Sequence, residues 1–397
     1  MPLWITALAV VLVLQTVAAY LTRLIPVACP AFMAEFGWNE SWIGYLSALN
    51  IVGAICVLLG GMGLLRRVGS LLMFQISIVI GAGALLLFQF PSIIVALLAS
   101  ALIGLSNGTS TPAGAEVLMR YTPASQYNLA FSIRQAGMPL GGVVAGVAVP
   151  LLIDSAGWRA ALMVSALSAF LVTALSLPFR GHIDGPRDQL PLRWPRIDDL
   201  AQPLRSLSRS SGLLRIVLVG GVFAVSQACW FTFAVTYLVI ELAYPLVLAG
   251  MVFAAMQAAG VMGRIALGMV ADRTSSEVTL AAVALLSAAA TAVFAFVGLD
   301  WPVWSIVLLS IVAGATVSGW NGVQVAEVVR RSPRELVTEA VAGSVIVIFA
   351  SNMVAPILFA LFVAATKRFD LAFLIAGACT LLCLPMLRWR ESGADKV

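Results

Sequence analysis

The chain has 397 residues, of which 61% are apolar and only 10% charged. A soluble domain carries roughly a quarter charged residues, so the composition excludes a secreted enzyme, a disulfide scaffold and a nucleic-acid binder, and points to a chain built for lipid. The formal net charge of +5 then reads as topology, because membrane proteins concentrate Lys and Arg in their cytoplasmic loops.

A spanning helix needs about 20 apolar residues. Apolar runs separated by charged or Gly/Pro-marked breaks predict helices over 3–27, 41–64, 69–90, 92–118, 127–153, 158–179, 213–240, 246–270, 278–298, 302–328, 337–364 and 369–388. The first run lacks a basic n-region and is too long for a signal peptide, so it reads as the first transmembrane helix. With both termini cytoplasmic, seventeen of the 23 Lys and Arg fall inside and only Arg159, Lys367 and Arg368 outside. The expected fold is an all-α membrane protein of twelve transmembrane helices in two six-helix bundles. Their expected bounds are 1–180 and 213–397, joined by an Arg- and Pro-rich cytoplasmic linker over 181–212.

The two halves repeat. Ala115-Glu116-Val117 at the end of the fourth span matches Ala326-Glu327-Val328 at the end of the tenth, an offset of 211. The same offset sets Trp158-Arg159 against Phe369-Asp370, and an offset of 212 sets Gln15 against Gln227. A parallel repeat of six and six is the arrangement of carriers whose two bundles rock about a midplane site.

Gly268-Met269-Val270-Ala271-Asp272-Arg273 resembles the GxxxDR loop of the major facilitator superfamily, and Gly61 to Gly69 keeps that loop's glycines and basic residues without the acidic one. Arg134-Gln135-Ala136-Gly137-Met138-Pro139 is similar to the family's Gly/Pro-rich fifth helix. Gly319-Trp320-Asn321-Gly322 resembles a pattern of cyanate-permease-like and related organic-anion members. The arginine that proton-coupled antiporters carry in the fourth helix is replaced by Ser100 ahead of Gly104, which argues against a drug–proton antiporter. The resemblance implies alternating access in a bacterial-type inner membrane.

Intramembrane charges are costly and mark cavities or pairs. Arg23 resembles the helix-one arginine that binds the anion in anion-symporter branches, and is the expected anchor; the bland alternative is snorkelling toward the outer interface. Arg134 is expected to assist, since a guanidinium fork suits a carboxylate, or else to form an inner-gate pair. Tyr20, Gln15, Asn107, Gln227, Trp230, Tyr237, Trp320, Asn321 and Gln324 complete the expected substrate surface, with Asn50, Gln257 and Asn352 at similar depth; ordinary interhelical packing competes for all of them. The resemblance assigns gating to Arg67 with Glu116 and to Arg273 with Glu327; Asp272 is expected to cap a nearby helix N-terminus through its dipole, and Arg264, one or two turns from the cytoplasmic end of the eighth span, to serve in structural pairing.

Cys29, Cys56, Cys229, Cys379 and Cys383 lie in apolar runs and the single His182 lies in a polar loop, so no metal site and no cofactor are expected. No nucleophile–base set suggests an enzyme. No Asp or Glu falls near the midplane of a span, which leaves the coupling ion open. The expected function is a secondary active transporter of a small organic anion, a monocarboxylate in the first place, acting as a monomer in membrane lipid. Its rival is an exporter of hydrophobic or cationic compounds.

Overall fold

The computed structural model describes residues 3–58, 67–123, 126–184, 203–208, 210–298, 300–333 and 336–388. The Gly61–Arg66 part of the predicted loop motif, most of the 181–212 linker and the C-terminal residues 389–397 lie outside the described residues.

Every regular element among the described residues is helical. The α-helices of six or more residues are α1 (Leu3–Phe36), α2 (Ser41–Cys56), α3 (Ser70–Leu87), α4 (Ile93–Tyr121), α5 (Tyr127–Ser176), α6 (Ser211–Thr236), α7 (Leu246–Arg273), α8 (Ser276–Ala295), α9 (Val303–Val317), α10 (Asn321–Arg331), α11 (Val337–Thr366), α12 (Phe369–Thr380) and α13 (Cys383–Arg388). By length and composition, ten helical segments among the described residues can cross a membrane, and Ser41–Cys56 is a shorter apolar helix.

Several elements depart from the predicted spans, among them the twelfth, which is cut after Thr380 into α12 and α13. α1 continues to Phe36, well past the predicted end at 27, and carries Pro26 and Pro30 inside it. The burial of Ala28, Cys29, Phe32 and Met33 holds the helix together across prolines that each remove a backbone donor. The fifth and sixth predicted spans are joined in α5, which bends where Gly157 adopts φ +81°. No Cβ penalty arises there because the residue is glycine. The tenth predicted span is cut at Ser318–Trp320 into α9 and α10.

The described chain divides into two compact units. The first holds Met1–Pro195 with Leu238–Ala254, and the second holds Arg196–Tyr237 with Ala255–Val397. In the first unit α1 packs along α5, and α4 packs between α2 and α3. In the second, α6 lies along α11, and α8 packs on α12.

Each unit contains a crossing so close that backbones touch. A Cβ on Gly104 of α4 would overlap the Asn50 carbonyl of α2, and one on Gly53 would overlap the Ala101 carbonyl. In the second unit a Cβ on Gly314 of α9 would overlap the Met256 carbonyl of α7, and one on Gly263 would meet Ala315. Gly53 and Gly263 are 210 residues apart, as are Gly104 and Gly314. Small residues at such contacts are what lets helices associate in lipid, where burial of apolar surface gives no advantage.

Candidate functional site

The first unit buries an arginine in its helix bundle. Arg134, on the first arm of α5, is 3% exposed. Its Nη1 donates to Oε1 of Gln15 on α1 at 3.0 Å, and its Nη2 donates to Oε1 of Gln135 at 3.4 Å. Its Cζ stands 5.7 Å from the centroid of the Phe131 ring. Glycines make the room. A Cβ on Gly114 of α4 would come within 3.3 Å of Nη1, and one on Gly137 of α5 within 3.3 Å of the Gln15 side chain.

Both expected residues, Gln15 and Arg134, are thus brought together. Among the described residues no carboxylate pairs with Arg134. Its charge is answered only by neutral oxygens and a ring face. Two donors of this pair, Arg134 Nε and Gln15 Nε2, are buried with no hydrogen-bond partner.

In the second unit Gln324 Nε2 donates to Ser344 Oγ at 3.1 Å and to the Ile216 carbonyl at 3.2 Å.

The other expected contacts are placed as follows. Arg23 is half-buried on α1, two turns beyond Gln15. Tyr20 is buried, with its hydroxyl 2.5 Å from Ser165 Oγ on the second arm of α5. Asn107 is half-buried on α4, and Gln227 is buried on α6. Asn50 Nδ2 donates to the Ser100 carbonyl at 3.3 Å and so joins α2 to α4. Gln257 is buried, and Asn352 half-buried.

Trp230, Tyr237 and Trp320 lie in the core of the second unit. Trp230 Nε1 donates to Thr291 Oγ1 at 3.0 Å, and its ring meets Phe294 at 4.1 Å between centroids. The Tyr237 hydroxyl donates to the Ala295 carbonyl at 3.3 Å, and its ring meets Phe373 at 5.3 Å. Trp320 stacks on Phe223 and donates to the Val317 carbonyl at 2.9 Å. Asn321 Nδ2 donates to the Ser318 carbonyl at 3.5 Å. The packing alternative for the three aromatics is what their surroundings match.

The expected charge latches are not formed as assigned. Arg67 and Glu116 are both exposed and no ion pair joins them. Glu327, 1% exposed, pairs with its own helix neighbours instead of Arg273: Arg330 Nη2 and Arg331 Nε each reach its Oε1 at 2.6 Å. Glu277 at the start of α8 closes the cluster, 2.7 Å from Arg331. Residues three and four apart on one helix face each other, so α10 completes this pairing without help from the loop. Asp272 and Arg273 are exposed, and the cap of α8 is Ser275, whose Oγ accepts from the Val278 amide at 3.2 Å. Arg264, half-buried on α7, donates from Nε to the Ser318 carbonyl at 3.2 Å.

Two structural features escaped the sequence reading. Asp184 accepts from the Leu71 and Leu72 amides at 3.0 Å each and caps α3 from more than a hundred residues away. An apolar groove of about 630 Å³ runs between α6, α11 and α12, lined among others by Cys229, Val354, Leu358, Phe359, Ile375 and Cys379. Neither has a local motif that would reveal it. Among the described residues no group of three or more His, Cys, Asp or Glu is placed to hold a metal.

Solved structures share the fold. A bacterial homologue of the human lysosomal transporter Spinster superposes with a TM-score of 0.78 at 13% identity, covering 99% of this chain and 100% of that one. A nucleoside transporter superposes with a TM-score of 0.77 at 13% identity, covering 96% of this chain and 98% of the other. Among curated proteins, an uncharacterised MFS-type transporter of Mycobacterium tuberculosis is 30% identical over 189 residues, 48% of this chain and 40% of the relative. A probable chloroplastic anion transporter of Oryza sativa is 27% identical over 128 residues, 32% of this chain and 24% of the relative. The matches span less than half the length of these curated relatives. Residues 11–331 match the Major Facilitator Superfamily as a whole, and the chain belongs to that family of membrane transporters.

Proposed function

We propose that this protein is a secondary active transporter of a small organic anion, a monocarboxylate in the first place, working by alternating access. In this reading twelve spans form two bundles with both termini in the cytoplasm, and the chain acts as a monomer in a bacterial-type inner membrane. The observation that carries it is Arg134: a buried guanidinium with no carboxylate partner among the described residues, joined to Gln15, with one unpartnered donor on each side chain. A charge so placed is retained against its insertion cost for a use. A carboxylate can accept from Arg134 Nε and Gln15 Nε2 together and neutralise the charge. Arg23, farther along α1, is the second cationic contact. The reading moves the leading role from Arg23 to Arg134 because Arg134 is the more deeply buried of the two. The rice relative is a probable anion transporter, which agrees in class.

The rival, an exporter of hydrophobic compounds, has the apolar groove of the second unit in its favour. Thermal unfolding of the purified protein against propionate, benzoate, succinate and a lipophilic cation separates the two. A ligand at 100 times its Kd adds about 2.7 kcal/mol of stability. Stabilisation by a carboxylate, lost in Arg134→Met, is the expected result; stabilisation by the lipophilic cation alone overturns the proposal.

A further inference from the structure

The last two spans leave a groove between them. α11 and α12 are joined by Lys367 and Arg368 alone, yet each is seated on a different neighbour. α11 is drawn against α6, where a Cβ on Gly221 would meet Val347 at 3.0 Å and Ser351 at 3.2 Å. α12 is drawn against α8, where a Cβ on Gly377 would meet Thr291 at 2.9 Å and the Thr380 hydroxyl donates to the Ala284 carbonyl at 3.1 Å. The two spans meet at Phe359, whose ring centroid lies 6.3 Å from that of Phe369 and 4.9 Å from that of Phe373. Beside that contact lies the apolar groove of about 630 Å³, with Cys229 of α6 at its floor.

Three observations say what fills it. No lining residue is charged, and the polar groups are the Ser351 hydroxyl and two thiols, so an ion finds no partner there. α11 and the α12–α13 segment are the two least buried of the ten described segments that can cross a membrane. Leu358 and Ile375, which line the groove, are 60% and 51% exposed. Side chains of this kind are costly to leave in water, and the medium that covers them within a spanning segment is hydrocarbon. The lining follows α11 from Ala350 to Phe362, about 18 Å of helix. That is close to the depth of one leaflet, half of a hydrocarbon core about 30 Å thick.

We infer that this groove holds one acyl chain of a membrane phospholipid. The tail leaves one apolar medium for another, so no hydrophobic gain drives it; it is held by dispersion contacts with three walls, which an empty groove would forfeit. It lies along α11, beside α12, and completes the packing that the two spans leave open. A tail there also takes the place that a hydrophobic cargo of the second unit would need. The groove is separate from Arg134, so its test succeeds or fails independently of the organic-anion reading.

The test uses the full-length protein, stripped of lipid in dodecyl maltoside and titrated with dioleoyl phosphatidylcholine in native mass spectrometry. The wild type binds the first phospholipid about tenfold more tightly than the next. Ala350→Phe and Cys379→Phe each set a ring into the groove from a position that is not fully buried, and both lose that preference. Val79→Phe, on an exposed face of α3, keeps it. Oleoyl lysophosphatidylcholine displaces the first lipid, whereas glycerophosphocholine, the headgroup without a chain, does not. The inference is overturned by a wild type without a preferred first lipid, by groove-filling variants that keep the preference, by displacement with glycerophosphocholine, or by retention of tetraphenylphosphonium in place of phospholipid. If the groove-filling variants do not fold, the wild type decides in dioleoyl phosphatidylcholine vesicles doped with a phospholipid that carries a diazirine in its acyl chain. Adducts concentrated on residues 350–362 and 372–379 support the groove; adducts spread evenly over the exposed apolar faces, Val79 of α3 among them, overturn it.

Discussion

Replacing Arg134 by Met tests whether its charge is held for a ligand or for the fold. An arginine in a spanning helix costs up to about 2.5–3.5 kcal/mol, the value at the helix centre; Arg134, the eighth residue of α5, carries part of that cost, and Met removes it while keeping similar bulk. Against the gain stands the bond from Nη1 to Gln15 at 3.0 Å; a hydrogen bond of a charged group is worth about 1.5–3 kcal/mol. The two nearly cancel, so Arg134→Met changes stability by less than about 1.5 kcal/mol. Adding Gln15→Leu removes the orphaned amide, whose unmet desolvation costs about 1–3 kcal/mol, and the double variant is more stable than the wild type by about 2 kcal/mol. Carboxylate binding responds in the opposite direction. Loss of about 1.5–3 kcal/mol of charge-assisted bonding weakens Kd by roughly 10- to 150-fold. Denaturant unfolding in detergent gives the stabilities, and ligand-dependent melting gives Kd. An Arg134→Met protein that loses more than about 3 kcal/mol yet keeps its carboxylate response refutes the reasoning, because that is the pattern of a broken structural ion pair.

Three further outcomes follow from the same geometry. Glu327→Gln strips the buried acceptor from Arg330 and Arg331 and, with both arginines partly exposed, lowers stability by about 1–3 kcal/mol; Glu116→Gln, at the repeat-related exposed position, stays within about 0.5 kcal/mol in the same melting assay. Gly104→Ala and Gly314→Ala, whose new methyl groups would overlap backbone carbonyls, each cost about 1–3 kcal/mol. Gly83→Ala has open space around it and is neutral or stabilising. Asp184→Ala removes the acceptor of two α3 amides and costs about 1–2 kcal/mol, the range of a lost helix cap. Amide hydrogen exchange at Leu71 and Leu72 rises in that variant.

The helical elements were legible in the sequence because lipid forces every backbone polar group to bond within its own segment, so an apolar run of sufficient length has few alternatives to helix. The internal repeat was legible as well: Glu116 and Glu327, Trp158 and Phe369, and Gln15 and Gln227 preserve the offset in plain text. Pairing was not. Glu327 chose Arg330 and Arg331 on its own helix over Arg273, since neighbours three and four residues away are already positioned while a loop residue must be ordered first. Asp184 reaches Leu71 and Leu72 through a fold that no local pattern encodes. The depth of Trp230, Tyr237 and Trp320 depended on aromatic neighbours contributed by α6, α8 and α12, which only tertiary packing brings together. The sequence by itself determined a membrane chain of two related halves, carrying an arginine in a glycine-rich fifth span. Only the tertiary structure decided that Gly114 and Gly137 leave room for Arg134 beside Gln15, that no carboxylate among the described residues pairs with it, and that the tenth span stops and restarts at Ser318–Trp320. The reason is that the charge and the void that holds it come from three helices, and a void has no letter in the sequence.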